Sequence, residues 1–117
     1  YRKKTLICTL LLSGTKEIKK LNKKFRNKNK STDVLSFPFY EKKKLTNEIK
    51  RENEIYLGDI IINLSKVKNK DNLDKFKIEL NKLWIHGLVH LFGHKHKSNK
   101  DFFEMGKVEK KFLEYLN

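Results

Sequence analysis

Four histidines fall within eleven residues, in the run WIHGLVHLFGHKH from Trp84 to His96, and the chain has no others. His86 and His90 are four residues apart, so on a helix their side chains stack about 40° apart on one face. Gly93 is the residue type that lets a helix end in a left-handed turn, and such a turn brings His94 or His96 back toward that face. Two imidazoles on adjacent helical turns and a third beyond a glycine form a metal-site pattern. Neutral imidazole suits zinc, and three protein ligands with an open fourth position describe a catalytic site rather than a structural one. The competing reading is a pair of core-edge histidines flanking the apolar stripe Leu73, Phe76, Leu80, Leu83, Gly87 and Leu91.

The position after the first histidine limits the chemistry. In the metalloprotease helix H-E-x-x-H that position is the glutamate that serves as general base. Here it is Gly87, so hydrolysis must take its acid and base from elsewhere or use the lowered pKa of a metal-bound water. Asp33 and Asp59 can orient a ligand histidine or a water, or simply cap turns. Arg26 offers a planar fork that holds a phosphate with two hydrogen bonds, which lysine cannot copy; a solvated surface cation is the plainer role. Trp84 reads as core packing rather than a base-stacking platform, and Phe37 and Phe39, alternating along a strand, read as core.

The elements that must position these residues follow from periodicity and caps. Thr5–Leu12 reads as a buried strand. Thr15 caps a helix to about Phe25 with Ile18, Leu21 and Phe25 on one side. Arg26–Lys30 reads as a basic loop, Asp33–Phe39 as a second strand ended by Pro38, and Glu41–Glu54 as a charged connector without a clear period. Tyr56–Ile62 is a third strand, Asn63–Lys70 a short helix at most, and Leu73–Phe92 the long helix that carries His86 and His90. Ser98 with Asp101 opens a last helix to about Leu116, with Phe102, Met105, Val108 or Glu109, and Phe112 inward. Strands early and helices late predict an α+β fold, a small sheet packed on helices.

At 117 residues the chain is one domain, residues 1–117, and its 38% apolar and 36% charged residues are lean but globular. The one long apolar run, Leu6–Leu12, is far short of the ~20 residues that span a bilayer, so no membrane partner is expected. Cys8 stands alone, which excludes a disulfide framework and fits a reducing, intracellular compartment. The net charge of +14 points to an anionic partner, nucleic acid first. Only Arg2, Arg26 and Arg51 of the 28 basic residues are arginines, and such a Lys and Asn excess also arises from AT-rich coding. The charge supports affinity and steering, not base specificity.

The run His86-Gly-x-x-His90-Leu-x-Gly93-x-x-His96 resembles the metal motif of the YbeY family of bacterial, zinc-dependent, single-strand-specific endoribonucleases. Arg26 followed by Ser31–Phe39 (STDVLSFPF), and Leu57-Gly58-Asp59-Ile60, resemble two further family blocks in the same order and at similar spacing. Met105 falls where the family usually has a Met in its last helix. The resemblance runs from about Leu6 to Leu116. It implies a zincin-like mixed sheet with a histidine-bearing metal helix and one zinc ion held by His86, His90 and His96. It also implies a catalytic and substrate-binding role for Arg26, and the charge of the basic loop adds Lys28 and Lys30 as substrate-binding cations. The implied partners are single-stranded RNA, ribosomal RNA or the small ribosomal subunit, and the implied activity is maturation of the 16S rRNA 3′ end and ribosome quality control. The implied setting is a bacterial-type cytoplasm or an organelle of bacterial origin. The chain departs from the pattern at His94-Lys95, where the family usually has Tyr-Asp, and at Val89, where Leu is usual. It opens at Tyr1 without the strand and helix that the family generally carries first, as a truncated or shortened homologue would. A non-catalytic, zinc-stabilised, ribosome-associated RNA-binding protein is the alternative, and a small metal hydrolase of another substrate class the third reading.

Overall fold

A computed structural model describes residues 4–93 and Lys107. The chain runs through β1 (Thr5–Ser13), α1 (Thr15–Arg26), β2 (Val34–Pro38), α2 (Lys42–Arg51), β3 (Glu54–Asn63), a 3-10 turn (Leu64–Lys66) and α3 (Leu73–Leu91). The three strands form a mixed sheet in the order β1-β3-β2, with β1 parallel and β2 antiparallel to β3. This is the small α+β arrangement expected, with three helices among the described residues. The helix expected from Ser98 to Leu116 falls, Lys107 apart, outside them.

β3 is central because its residues are apolar on both faces. Ile60 and Ile62 join Ile55, Leu57, Leu45, Val67 and Leu91 in one buried cluster, while Ile61 joins Ile18 and Leu35 in another. Successive strand residues point to opposite faces, so α3 and α2 cover one face and α1 the other. β1 corrects the sequence reading: it is an edge strand, and Leu10, Leu11 and Leu12 are exposed rather than buried. A bulge between Ile7 and Cys8 breaks its register opposite Gly58.

Two other expectations change. The connector at 41–54 is largely helix α2, because Leu45 and Ile49, one turn apart, pack against the β3–α3 cluster. Arg26 is not in the loop but is the last residue of α1, which ends at Asn27 in the left-handed conformation (φ 55). Asn tolerates that conformation better than most residues. α1 takes Gly14, not Thr15, as its N-cap. Thr15 Oγ1 instead accepts from the amide of fully buried Asn63, which also donates to the Thr32 carbonyl and accepts from the Ser65 N–H. Asn63 thereby ties together three connections at one end of the sheet. α3 begins as expected at Leu73, capped by Asn72, whose side chain accepts from the Lys75 N–H. Leu73 itself is exposed; burial grows toward the other end, where Ile85, Gly87, Val89 and Leu91 are all buried.

Candidate functional site

The site is built where α3 closes on β2 and β3. A Cβ on Gly87 would lie 2.7 Å from Ile60 Cγ2 and 3.0 Å from Ser36 Oγ, so only glycine permits this approach. The Ser36 hydroxyl donates to the Gly87 carbonyl at 2.9 Å and is buried with it. The residue that replaces the metalloprotease glutamate therefore faces the sheet, where a carboxylate would be crushed rather than useful.

On the flank of that contact, His86 and His90 bring their Nε2 atoms to 3.3 Å of one another, with rings 4.8 Å apart and nearly perpendicular. Two nitrogens bound to one zinc at about 2.05 Å and 3.3 Å apart subtend about 107°, close to the tetrahedral angle of structural and catalytic zinc sites. The pair therefore fits two of the three expected ligand positions. Among the described residues no group of three His, Cys, Asp or Glu converges on one point. His94 and His96, which bear on the third ligand, lie outside the described residues.

Arg26 meets β2 from the α1 side of the sheet. The ladder bonds of β2 to β3 fall on Asp33 and Phe39, through Asn63 N–H to Asp33 O and Phe39 N–H to Leu57 O, so the Ser36 carbonyl points out of the open sheet edge. The Arg26 guanidinium donates to that carbonyl, and it lies 5.6 Å from the Phe37 ring centroid, against which Phe25 also packs. Ser36 thus joins the two candidate elements: its carbonyl holds Arg26 and its hydroxyl holds the histidine helix. Lys28 and Lys30 lie exposed on the loop that follows, anchored where Asn22 donates to the Lys30 carbonyl.

The two aspartates do not join the histidines. Asp59 sits one residue before Ile60 and so faces the opposite side of the sheet, where it accepts from Tyr56, whose hydroxyl also lies 2.7 Å from Thr9 Oγ1. That bond to Asp59 is the main cause raising the Tyr56 phenol above its ordinary value. Asp33 is exposed and meets the hydroxyl of Thr32. Trp84 packs at the edge of the core, as expected, and donates to Asn81. Phe37 packs on the α1 cluster, but Phe39 does not belong to the core: it is 63% exposed.

Phe39 instead lines an open cleft of about 570 Å³ with Pro38, Tyr40, Glu41, Lys42, Lys43, His90 and Gly93. Gly93 takes φ +93°, and a Cβ there would meet Lys42 Cβ at 2.8 Å, so the helix end and the start of α2 meet across this glycine. Sequence reasoning missed the cleft. Phe39 keeps the ladder, its N–H donating to the Leu57 carbonyl, but the α1 cluster ends at Phe37; Pro38, the last strand residue, was the available signal that packing stops there.

A family model described as Endoribonuclease YbeY matches residues 2–117. A relative from Pelagibacter ubique (strain HTCC1062), named Endoribonuclease YbeY, is 49% identical over 116 residues, covering 97% of this chain and 71% of the relative. Another of that name from Thermodesulfovibrio yellowstonii is 37% identical over 114 residues, 95% of this chain and 67% of the relative. The solution structure of a Thermotoga maritima protein superposes with a TM-score of 0.54 at 33% identity, covering 92% of this chain and 65% of that one. The chain therefore spans about two-thirds of the length of these relatives.

Proposed function

The chain belongs to the YbeY endoribonuclease family, and on that footing we propose that it is a zinc-dependent, single-strand-specific endoribonuclease. Its substrate would be ribosomal RNA of the small subunit, in maturation of the 16S 3′ end and in ribosome quality control in a bacterial-type cytoplasm. The observation that carries the reading is the convergence of His86 and His90 Nε2 at 3.3 Å on a helix whose next position, Gly87, is closed to a carboxylate. His86, His90 and His96 would hold one zinc ion, which when bound supplies Lewis acidity and a lowered water pKa. The chain's own residues do the rest. Arg26, steadied by the Ser36 carbonyl, presents a fixed positive charge to the phosphate, and Lys28 and Lys30 add affinity without base specificity. With no general base after the first histidine, the rate is expected to be modest.

Metal analysis combined with cleavage of a labelled rRNA fragment tests this. His90→Ala should lose both zinc and cleavage while keeping RNA binding that weakens with salt, with a log–log slope of roughly −0.7 per neutralised phosphate. Arg26→Lys keeps the charge but loses the fork, so cleavage should fall much further than affinity. Cleavage by metal-free protein would end the proposal. Zinc held by four protein ligands, with RNA bound and never cut, would make the chain a zinc-stabilised RNA-binding protein instead.

A further inference from the structure

We propose that Phe39, buttressed by Tyr40, is a stacking platform for one unpaired nucleobase, set in the cleft that His90 also lines; this rests on RNA being the substrate. The ring is 63% exposed although its backbone is fixed, because the Phe39 N–H continues the sheet ladder by donating to the Leu57 carbonyl at 3.0 Å. Tyr40 and Tyr56 hold it with perpendicular ring contacts at 4.8 and 5.7 Å, and Tyr40 is itself anchored on the buried cluster. An aromatic ring that is held rigidly and left in solvent has lost side-chain entropy before any ligand arrives, which favours binding.

The surroundings select the ligand class. The cleft of about 570 Å³ lies within the roughly 300–1,000 Å³ of sites that take small organic groups. Lys42 and Lys43 share its wall with Glu41, and Lys42 is pressed against Gly93 at the end of the histidine helix. Aromatic rings interleaved with cations form the pattern that binds single strands, with bases stacked on the rings and phosphates on the cations. A base inside a duplex offers no free face to such a ring, so the platform itself discriminates against double-stranded RNA. Because His90 lines the same cleft, a strand stacked on Phe39 runs beside the histidine helix.

The test is binding of a single-stranded RNA oligonucleotide carrying one 2-aminopurine, in a chelator so that nothing is cut. Wild type should quench the fluorescent base on binding. Phe39→Leu, a change at an exposed position, should melt like wild type but lose the quenching and about 5- to 150-fold in affinity, the range expected for one stacked base. Phe39→Trp should retain both. A blunt duplex of the same sequence should bind no better to wild type than to Phe39→Leu. Unchanged affinity and quenching in Phe39→Leu, or no RNA binding by wild type, would overturn the platform. Wild type that quenches yet never cleaves in zinc would defeat the nuclease reading alone, and cleavage indifferent to Phe39 would defeat the platform alone.

Discussion

On one face of β3, Ile60 and Ile62 are sealed under α2 and α3 in a cluster with Ile55, Leu57, Leu45, Val67 and Leu91; on the other, Ile61 has Ile18 and Leu35 as its buried partners among the described residues. The histidine pair rides on the helix of the first face. The second face carries α1, whose last residue is Arg26, and the polar Thr9–Tyr56–Asp59 group. On the proposed reading, a histidine pair that is to hold zinc tolerates little movement, since a 3.3 Å approach of two nitrogens depends on how closely α3 lies on the sheet. An arginine proposed to meet a phosphate tolerates more, because its stem is long. The contrast between a tightly packed face and a lighter one thus matches what the proposal asks each to hold in place.

The largest effect should come from hollowing the tighter face. Ile60 is fully buried and touches the α3 backbone at Gly87, so Ile60→Ala should cost about 2–5 kcal/mol in denaturant unfolding. It should also lower zinc affinity, because the histidines are carried by the same helix. Leu11, on the edge strand β1 and 49% exposed, makes the control, where Leu11→Ala should cost well under half as much and leave zinc affinity alone. Equal losses at the two positions would mean that the packing difference does not matter.

A smaller effect, of opposite steric sign, sharpens the same comparison. In an exposed helix, Gly→Ala adds up to about 1 kcal/mol of stability. At Gly87 the new methyl would sit 2.7 Å from Ile60 Cγ2, in a core where β-branched Ile60 has no room to turn. Overpacking of this kind costs about 1–3 kcal/mol, so Gly87→Ala should be a net loss. The measurement to pair with it is zinc affinity, which should fall as α3 is lifted from Ser36. A stabilised variant with unchanged zinc affinity would show that the close approach is incidental.

How much of this was legible depended on how far each signal reached along the chain. β3 and α3 were readable because their apolar patterns are long and uninterrupted. The histidine pair followed from helical spacing alone. α2 was hidden because only Leu45 and Ile49 stand out among lysines, and their burial is supplied by β3 and α3, elements distant in sequence. β1 misled for the complementary reason: an apolar run on a strand reads as interior, yet this strand lies at the sheet edge with Leu10, Leu11 and Leu12 exposed. Arg26 was recognisable as a special cation, but its partner is a backbone carbonyl ten residues on, at a sheet edge that no local pattern announces. Phe39 failed because the ladder reaches it while the helix packing does not, and alternation alone cannot tell the two apart.

The smallest expected effect lies on the lighter face and is electrostatic. Tyr56 donates to Asp59, and that bond, ahead of the opposing effect of the Thr9 hydroxyl, raises the phenol above its ordinary value of 10.0. A raised folded-state pKa means that the native state holds the proton more tightly than the unfolded chain does. The stabilisation is therefore complete below the ordinary tyrosine value and disappears as pH climbs through the raised one. Spectrophotometric titration should show a late tyrosine step that Tyr56→Phe removes. Asp59→Asn, which removes the charge and leaves the strand intact, should bring that late step down, with zinc binding unchanged at neutral pH, since Asp59 faces away from α3. If Asp59→Asn abolished zinc binding, the two faces would be coupled through β3, and the proposed separation between a zinc-binding face and a supporting one would have to be abandoned.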